Sequence, residues 1–333
     1  MNGMLSVAIT HRCNLRCRHC YVNAGVGGRE TSLCALHDFL ERFMECFAPC
    51  TSNIDVELTG GEPLLRFEDT IALLTTAAKH FSRRPGDALV LNTNGTLLEP
   101  AHARRLAEIP DLKVWVSLDG DQRAHEELRG PESFGPALTG LSNLAACGVW
   151  VGVGLFPTPE NLSVLLDAAA LALDHGAKRF VVQKPMYLGR WKNASKDFLF
   201  TSMSESLEKL HAQFGDAVAS PLSAIKERAK THLPNGRVGD NTPPSCTLDR
   251  NVSFHLVPDG RIFPCYALVE TPFSIGALED WPRDLPEYER RMQPFLRHNA
   301  WAEASWVPMP DELSFCPATV VPNGATHPYP LIG

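Results

Sequence analysis

The chain has 333 residues, 44% of them hydrophobic, and a formal net charge of −7. That composition fits a globular protein with a sizeable core, arranged as one large domain or as a large and a small one. No block of like charge interrupts it, which argues against a general nucleic-acid or membrane-surface binder.

The first residues read "MNGMLSVAITHRC", with an apolar run too short for a signal-peptide core or a membrane span, so a cytoplasmic location is expected. Within it, residues 5–9 read as a strand. Leu36, Phe39, Leu40, Phe43, Met44 and Phe47 then recur at three- and four-residue steps, which predicts an amphipathic helix with a core-facing stripe. Residues 54–58 are strand-like, 67–81 helical, 88–92 strand-like, and 99–109 helical up to Pro110. A strand follows at 113–118, a helix at 134–146 closed by Gly148, a strand at 149–156, a helix at 160–174 closed by Gly176, and a sixth strand at 179–183.

Strands alternating with helices imply parallel neighbours joined by right-handed crossovers, hence an α/β fold with an open sheet or a barrel. Such folds place their chemistry at the C-terminal ends of the strands. Near residue 190 the pattern changes. Residues 203–232 read as mostly helical, 233–246 are rich in Pro and Gly, and short strands are expected at 251–257 and 261–263. A second, smaller unit is therefore placed at 236–333.

Ten cysteines in a reducing compartment point to metal or catalytic chemistry before disulfides. Three of them, Cys13, Cys17 and Cys20, stand as C-x3-C-x2-C in "HRCNLRCRHCY", just after the first strand. Structural zinc usually takes four ligands, often in two separated pairs. Three close thiolates without a paired set nearby suit a four-iron cluster with one iron left open.

With the motif so placed, the chain resembles the radical S-adenosylmethionine (radical SAM) superfamily, and further segments match in order. "TGGEP" follows the second strand, and the resemblance implies that Gly60, Gly61 and Glu62 meet the amino group of SAM's methionine portion; two glycines also let backbone approach a ligand closely. "NTNG" follows the third strand and "VSLDG" the fourth, which brings Asn94, Ser117 and Asp119 into the set, although both are also ordinary turn sequences. "HEELRG" resembles a loop of this superfamily. In it Arg129 is either a fork for the SAM carboxylate or the end of a solvated helix. His19 stands where a larger aromatic is usual, and its planar ring can pack beside adenine. Arg12, Arg16 and Arg18 either offset cluster charge or sit in solvent. Asn161, in "PTPEN", is a candidate helix cap.

The last third has its own resemblance. Cys246 and Cys265 are spaced C-x18-C around "PDGRIFPC", and Cys316 follows in "LSFCPAT", similar to the SPASM/twitch extensions of radical SAM enzymes. A turn at Pro258-Asp259-Gly260 predicts a hairpin. The three cysteines would hold an auxiliary [4Fe-4S] cluster; a zinc site and unliganded cysteines are the alternatives. Full SPASM domains carry more cysteines, and Thr319 stands where a twitch form often has its last one. Of the remaining cysteines, Cys46 and Cys147 lie among apolar helical residues and are read as core, while Cys34 and Cys50 fit no pattern.

The resemblance implies a partial (β/α)6 TIM-like barrel over residues 1–195, a helical bridge over 196–235 and a small cysteine-containing SPASM/twitch-like domain over 236–333. It implies a [4Fe-4S] cluster and SAM as cofactors, reductive cleavage of SAM to a 5′-deoxyadenosyl radical, hydrogen-atom abstraction from a substrate, and an external one-electron donor. The favoured substrate is a ribosomally made peptide that is cross-linked or otherwise modified. The chain starts almost at its first strand, so a leader-peptide-binding protein would be separate. The alternatives are radical chemistry on a small natural-product intermediate such as an aminosugar and, from another class, a non-catalytic iron–sulfur or zinc protein. Glycine and carboxylate motifs at three strand ends speak against the latter, because a carrier needs no SAM pocket.

Overall fold

The computed structural model of the chain describes residues 2–81, 86–183, 188–193, 198–219, 251–269 and 274–297. Six βα-type units come first: β1 (Asn2–Ala8), α1 (Leu33–Phe47), β2 (Ile54–Thr59), α2 (Phe67–Phe81), β3 (Ala88–Thr93), α3 (Pro100–Ala107), β4 (Leu112–Ser117), α4 (Gln122–Arg129), α5 (Phe134–Ala146), β5 (Trp150–Leu155), α6 (Leu165–Asp174) and β6 (Arg179–Val182). Then come α7 (Phe198–Phe214), β7 (Val218–Ala219), β8 (Asn251–Leu256), β9 (Arg261–Phe263), β10 (Gly276–Ala277) and α8 (Leu285–Arg297).

All ten strands form one sheet, in the order β10-β9-β8-β1-β2-β3-β4-β5-β6-β7. Strands β1 to β7 are parallel to their neighbours, and β8 joins the free side of β1 in parallel, with Ser6 opposite His255. The β8–β9 hairpin is antiparallel and turns at the expected Pro258-Asp259-Gly260, where Gly260 takes φ +89°.

Alternate residues of each strand are buried under the helices: Leu5 and Val7, Val56 and Leu58, Leu89 and Leu91, Val114 and Val116, Val151 and Val153. The other face carries Ser6, Glu57, Asn92 and Trp115, so the sheet's inner surface is partly polar. Helix α1 begins at Ser32, whose hydroxyl accepts from the Ala35 N–H at 3.3 Å. Its predicted stripe is core. Phe43 and Phe47 meet Phe254 of β8 at ring-centre distances of 5.2 and 5.0 Å, and Phe39 meets Trp281 at 5.0 Å. Core and extension therefore share one aromatic cluster.

Four expectations change. "HEELRG" is the second half of helix α4, not a loop; its buried side is Ala124, His125, Leu128 and Arg129, so two of its core-facing residues are ones that sequence patterns count as polar. The 160–174 helix divides into a short 3-10 turn and α6, and Asn161 ties the loop rather than capping a helix, accepting from Thr158 N–H and donating to the Asp119 and Phe156 carbonyls. Helix α7 ends at Phe214, and the rest of the 203–232 segment beyond Ala219 lies outside the described residues, as do Cys246 and Cys316. Cys46 and Cys147 are half-buried against the core rather than inside it. Among the described residues no helix is long and apolar enough to cross a membrane.

Candidate functional site

The segment after β1 folds back over the ends of β2 and β3. Gly61 N–H donates to the Thr10 carbonyl at 2.6 Å and Glu62 N–H to the Arg12 carbonyl at 2.9 Å. At Gly60, φ is +140° and a Cβ would stand 2.4 Å from the Thr10 oxygen; at Gly61 a Cβ would stand 2.1 Å from the Arg12 oxygen. The two glycines are thus required by the close approach of the cysteine loop itself. On its other side the loop is held by Arg190, which donates to the carbonyls of Cys17 at 2.7 Å and Ala24 at 2.8 Å.

This frame brings Cys13, Cys17 and Cys20 together as free thiols. Each sulfur faces an N–H donor: Leu15 N–H lies 3.4 Å from the Cys13 sulfur, Ala24 N–H 3.4 Å from that of Cys20, and an Arg129 Nη 4.0 Å from that of Cys17. Asn94 Nδ2 adds a contact of 3.9 Å to Cys13. Burial pushes the Cys13 thiol up to about 11, with the Cys17 and Cys20 charges adding to the effect, and burial also raises Cys17. Cys13 and Cys17 therefore favour the neutral thiol when alone; a bound cation reverses that balance and draws them to thiolates. Among the described residues no three His, Cys, Asp or Glu side chains converge to hold a single metal ion. A cluster asks for less convergence, since each cysteine ligates a different iron, and backbone N–H groups aimed at the sulfurs suit it.

Glu62 is fully buried, and its carboxylate ties the strand ends together. It accepts from Leu64 N–H at 3.0 Å, Thr93 Oγ1 at 2.7 Å and Asn94 N–H at 2.7 Å. Burial nevertheless raises its pKa above the ordinary carboxylate range.

Asp119 is the second hub. Its carboxylate accepts from Arg129 Nε at 2.5 Å and Phe156 N–H at 2.8 Å, and His19 Nε2 lies 3.3 Å away. Burial alone would raise Asp119, but the Arg129 guanidinium outweighs it and holds the carboxyl below its usual range. Arg129 is therefore no solvated helix end: it is 8% exposed, bound through Nε to Asp119, with an Nη edge toward Cys17. His19 stacks on Phe156 at 4.6 Å, and burial lowers its pKa to about 4, so the ring is neutral. Ser117 ends β4 half-buried on the same rim, opposite Gly154.

Sequence reasoning missed a polar cluster below this rim. Glu57 accepts hydrogen bonds from Asn92 and from the Tyr266 hydroxyl, which also meets Ser6. Tyr266 packs against His255 at 4.0 Å and edge-on against Tyr21 at 5.9 Å. Tyr21 follows Cys20 and Tyr266 follows Cys265, so the two cysteine-bearing segments meet through tyrosines. A carboxylate inside the apolar alternation of "IDVELT" was the available signal, because parallel strands are usually apolar on both faces.

A strand-end site with three cysteines on an inward-curving parallel sheet defines the class. Residues 7–172 match the family model of the Radical SAM superfamily, and the chain belongs to that superfamily. Among curated proteins it is similar to pre-heme d1 synthase of Dinoroseobacter shibae, 34% identical over 193 residues that cover 57% of this chain and 45% of the relative. It is also similar to mycofactocin maturase MftC of Mycobacterium ulcerans, 35% identical over 179 residues, 52% of this chain and 45% of the relative. The matched stretch thus spans less than half the length of these relatives. Among solved structures it is similar to Streptococcus suis SuiB bound to S-adenosylmethionine, with TM-score 0.69 and 15% identity over 88% of this chain and 67% of that one. SuiB bound to precursor peptide SuiA aligns with TM-score 0.65 and 16% identity, over 86% and 65%. At such identity the likeness is one of fold, and it agrees with the partial barrel expected from the sequence.

Proposed function

We propose that the chain is a radical SAM enzyme that modifies a peptide. The observation that carries the reading is the trio Cys13, Cys17 and Cys20, each sulfur with an N–H donor, beside Asn94 and Arg129 and above Gly60-Gly61. When bound, a [4Fe-4S] cluster and SAM supply reductive cleavage and a radical able to take a hydrogen atom from carbon. The chain's own part is binding and exclusion of water. Cys13, Cys17 and Cys20 would hold the cluster. Arg129, fixed by Asp119, offers its Nη edge to a carboxylate. Asn94, Ser117 and the Gly60–Glu62 backbone line the same rim, and His19 on Phe156 forms an apolar wall for a purine. Glu57 with Tyr266 gives the inner surface a group that can hold a proton near a substrate.

The peptide reading is supported by the likeness to SuiB, whose structure contains a precursor peptide. In it, an external one-electron donor and a separate leader-peptide-binding protein are partners, and Cys246, Cys265 and Cys316 hold an auxiliary cluster within the 236–333 domain. The likeness to pre-heme d1 synthase favours a second reading, chemistry on a small natural-product intermediate.

The test is anaerobic reconstitution, followed by iron counting and detection of 5′-deoxyadenosine after SAM and reductant are added. About eight irons per chain are expected for two clusters and about four for one. Protein that stays iron-poor and makes no 5′-deoxyadenosine overturns the reading. Incubation with a precursor peptide encoded beside the gene separates the two substrate classes.

A further inference from the structure

We propose that the loop over residues 23–30 is the docking surface for an acidic protein that delivers single electrons, with Val26 as its central contact. This rests on the function proposed above, since it needs a redox centre on the three cysteines.

Val26 is 89% exposed, the most exposed large apolar side chain among the described residues. Gly25 and Gly27 flank it, and a Cβ added to either would meet nothing within 4 Å, so the crest of the loop is open. Beneath the crest the loop is pressed onto the cysteine segment. Gly25 accepts from Cys13 N–H at 3.0 Å and donates to the His11 carbonyl at 3.2 Å. Ala24 N–H reaches the Cys20 sulfur at 3.4 Å. A Cβ at Gly28 would stand 2.1 Å from the His11 carbonyl carbon. Val26 is therefore two residues from a backbone group that touches a cysteine sulfur, and one layer of backbone separates the crest from the site.

The charge around the crest is opposite to that of the whole. Val26, Arg16, Arg29 and Arg190 line one basin of about 650 Å³, with Cys13 and Asp259 also on its wall, and Arg12 pairs with Gly25 at its edge. The carboxylates that oppose them are Glu30, 3.3 Å from Arg12, and Asp259, 3.9 Å from Arg29 and closer to Arg261 at 2.7 Å. Such a group of arginines on a chain of net charge −7 steers an acidic partner to this spot. An exposed apolar side chain in the same lining suits the small, transient contacts typical of electron transfer. One electron leaves the reduced partner and enters the centre; no bond forms or breaks.

The test uses the reconstituted full chain and a bacterial flavodoxin, an acidic flavin protein, as probe. Its binding is measured by biolayer interferometry at low and high salt, and 5′-deoxyadenosine formation is followed with either reduced flavodoxin or dithionite. Val26→Asp and Arg29→Glu are each expected to weaken flavodoxin binding and flavodoxin-driven turnover by about tenfold, and to leave the dithionite rate within about twofold. Wild-type binding is expected to weaken steeply with salt. Unchanged binding and turnover in both variants, or salt-independent binding, overturns the proposal. Should Arg29→Glu also lose the dithionite rate through its contact with Asp259, Val26→Asp decides alone. A wild type inert with dithionite overturns the function instead, and the binding measurement still decides the docking surface.

Discussion

The two cysteine-bearing segments are held by different means. Cys13, Cys17 and Cys20 sit in a loop stitched by main-chain hydrogen bonds to the ends of β2 and β3 and to Arg190. Cys265 follows a three-residue strand, and its neighbour Tyr266 reaches the inner surface by a single side chain, onto Ser6 and Glu57. The first segment has its shape built into backbone, so it can present ligands before any metal arrives. The second is fastened to the barrel by the β8–β1 ladder at its base and by the Tyr266 side chain near Cys265, which links its position to whatever occupies the inner surface.

Four substitutions sharpen or break that contrast. Cys17→Ala has the largest expected effect: 5′-deoxyadenosine falls below detection and iron drops by about four per chain, because two ligands do not retain a four-iron cluster. Turnover at the wild-type rate would remove the first site from the mechanism. Cys265→Ala is expected to keep SAM cleavage and lose product, with iron falling to about four per chain. Mass spectrometry that finds product at the wild-type level would show the second segment to be dispensable.

Asp119→Ala comes next. It leaves the Arg129 guanidinium buried without its partner and orphans the Phe156 N–H, so a loss of about 3–5 kcal/mol is expected in urea unfolding of the apo protein. A change under about 1 kcal/mol would show that Arg129 finds other partners. Tyr266→Phe is the mildest. Removing the hydroxyl that bridges Ser6 and Glu57 is expected to cost about 1–3 kcal/mol, and protease cutting within β8–β10 should rise in parallel. Unaltered cutting would mean that the β8–β1 ladder and the aromatic cluster hold these strands without it.

The comparison also explains what could be read in advance. Strands β2 to β6 and helices α1, α2 and α5 were legible because each has one face on the core and so repeats its apolar residues at the period of its own geometry. The cysteine trio was legible because its three residues are close in sequence. Helix α4 was not, because its buried side includes His125, which accepts from the Asp119 N–H, and Arg129, which donates to the Asp119 carboxylate, and such inward polar residues break the apolar period. The Glu57–Tyr266 bond was hidden for another reason: its partners lie on β2 and after β9, and only the pairing of β8 with β1 brings them together. The inner surface and the strand-end rim both depend on partners distant along the chain, and only the cysteine spacing itself is local.

The position of β1 has a consequence for how the molecule is made. Residues 2–7 leave the ribosome well before one of their two neighbouring strands, residues 251–256. Until then the nascent sheet has an open flank, and Phe39, Phe43 and Phe47 wait for Phe254 and Trp281 to cover them. Contacts so distant along the chain slow folding and lengthen the exposure of apolar surface. Completion of the sheet around β1 is therefore tied to the arrival of residues 251–281.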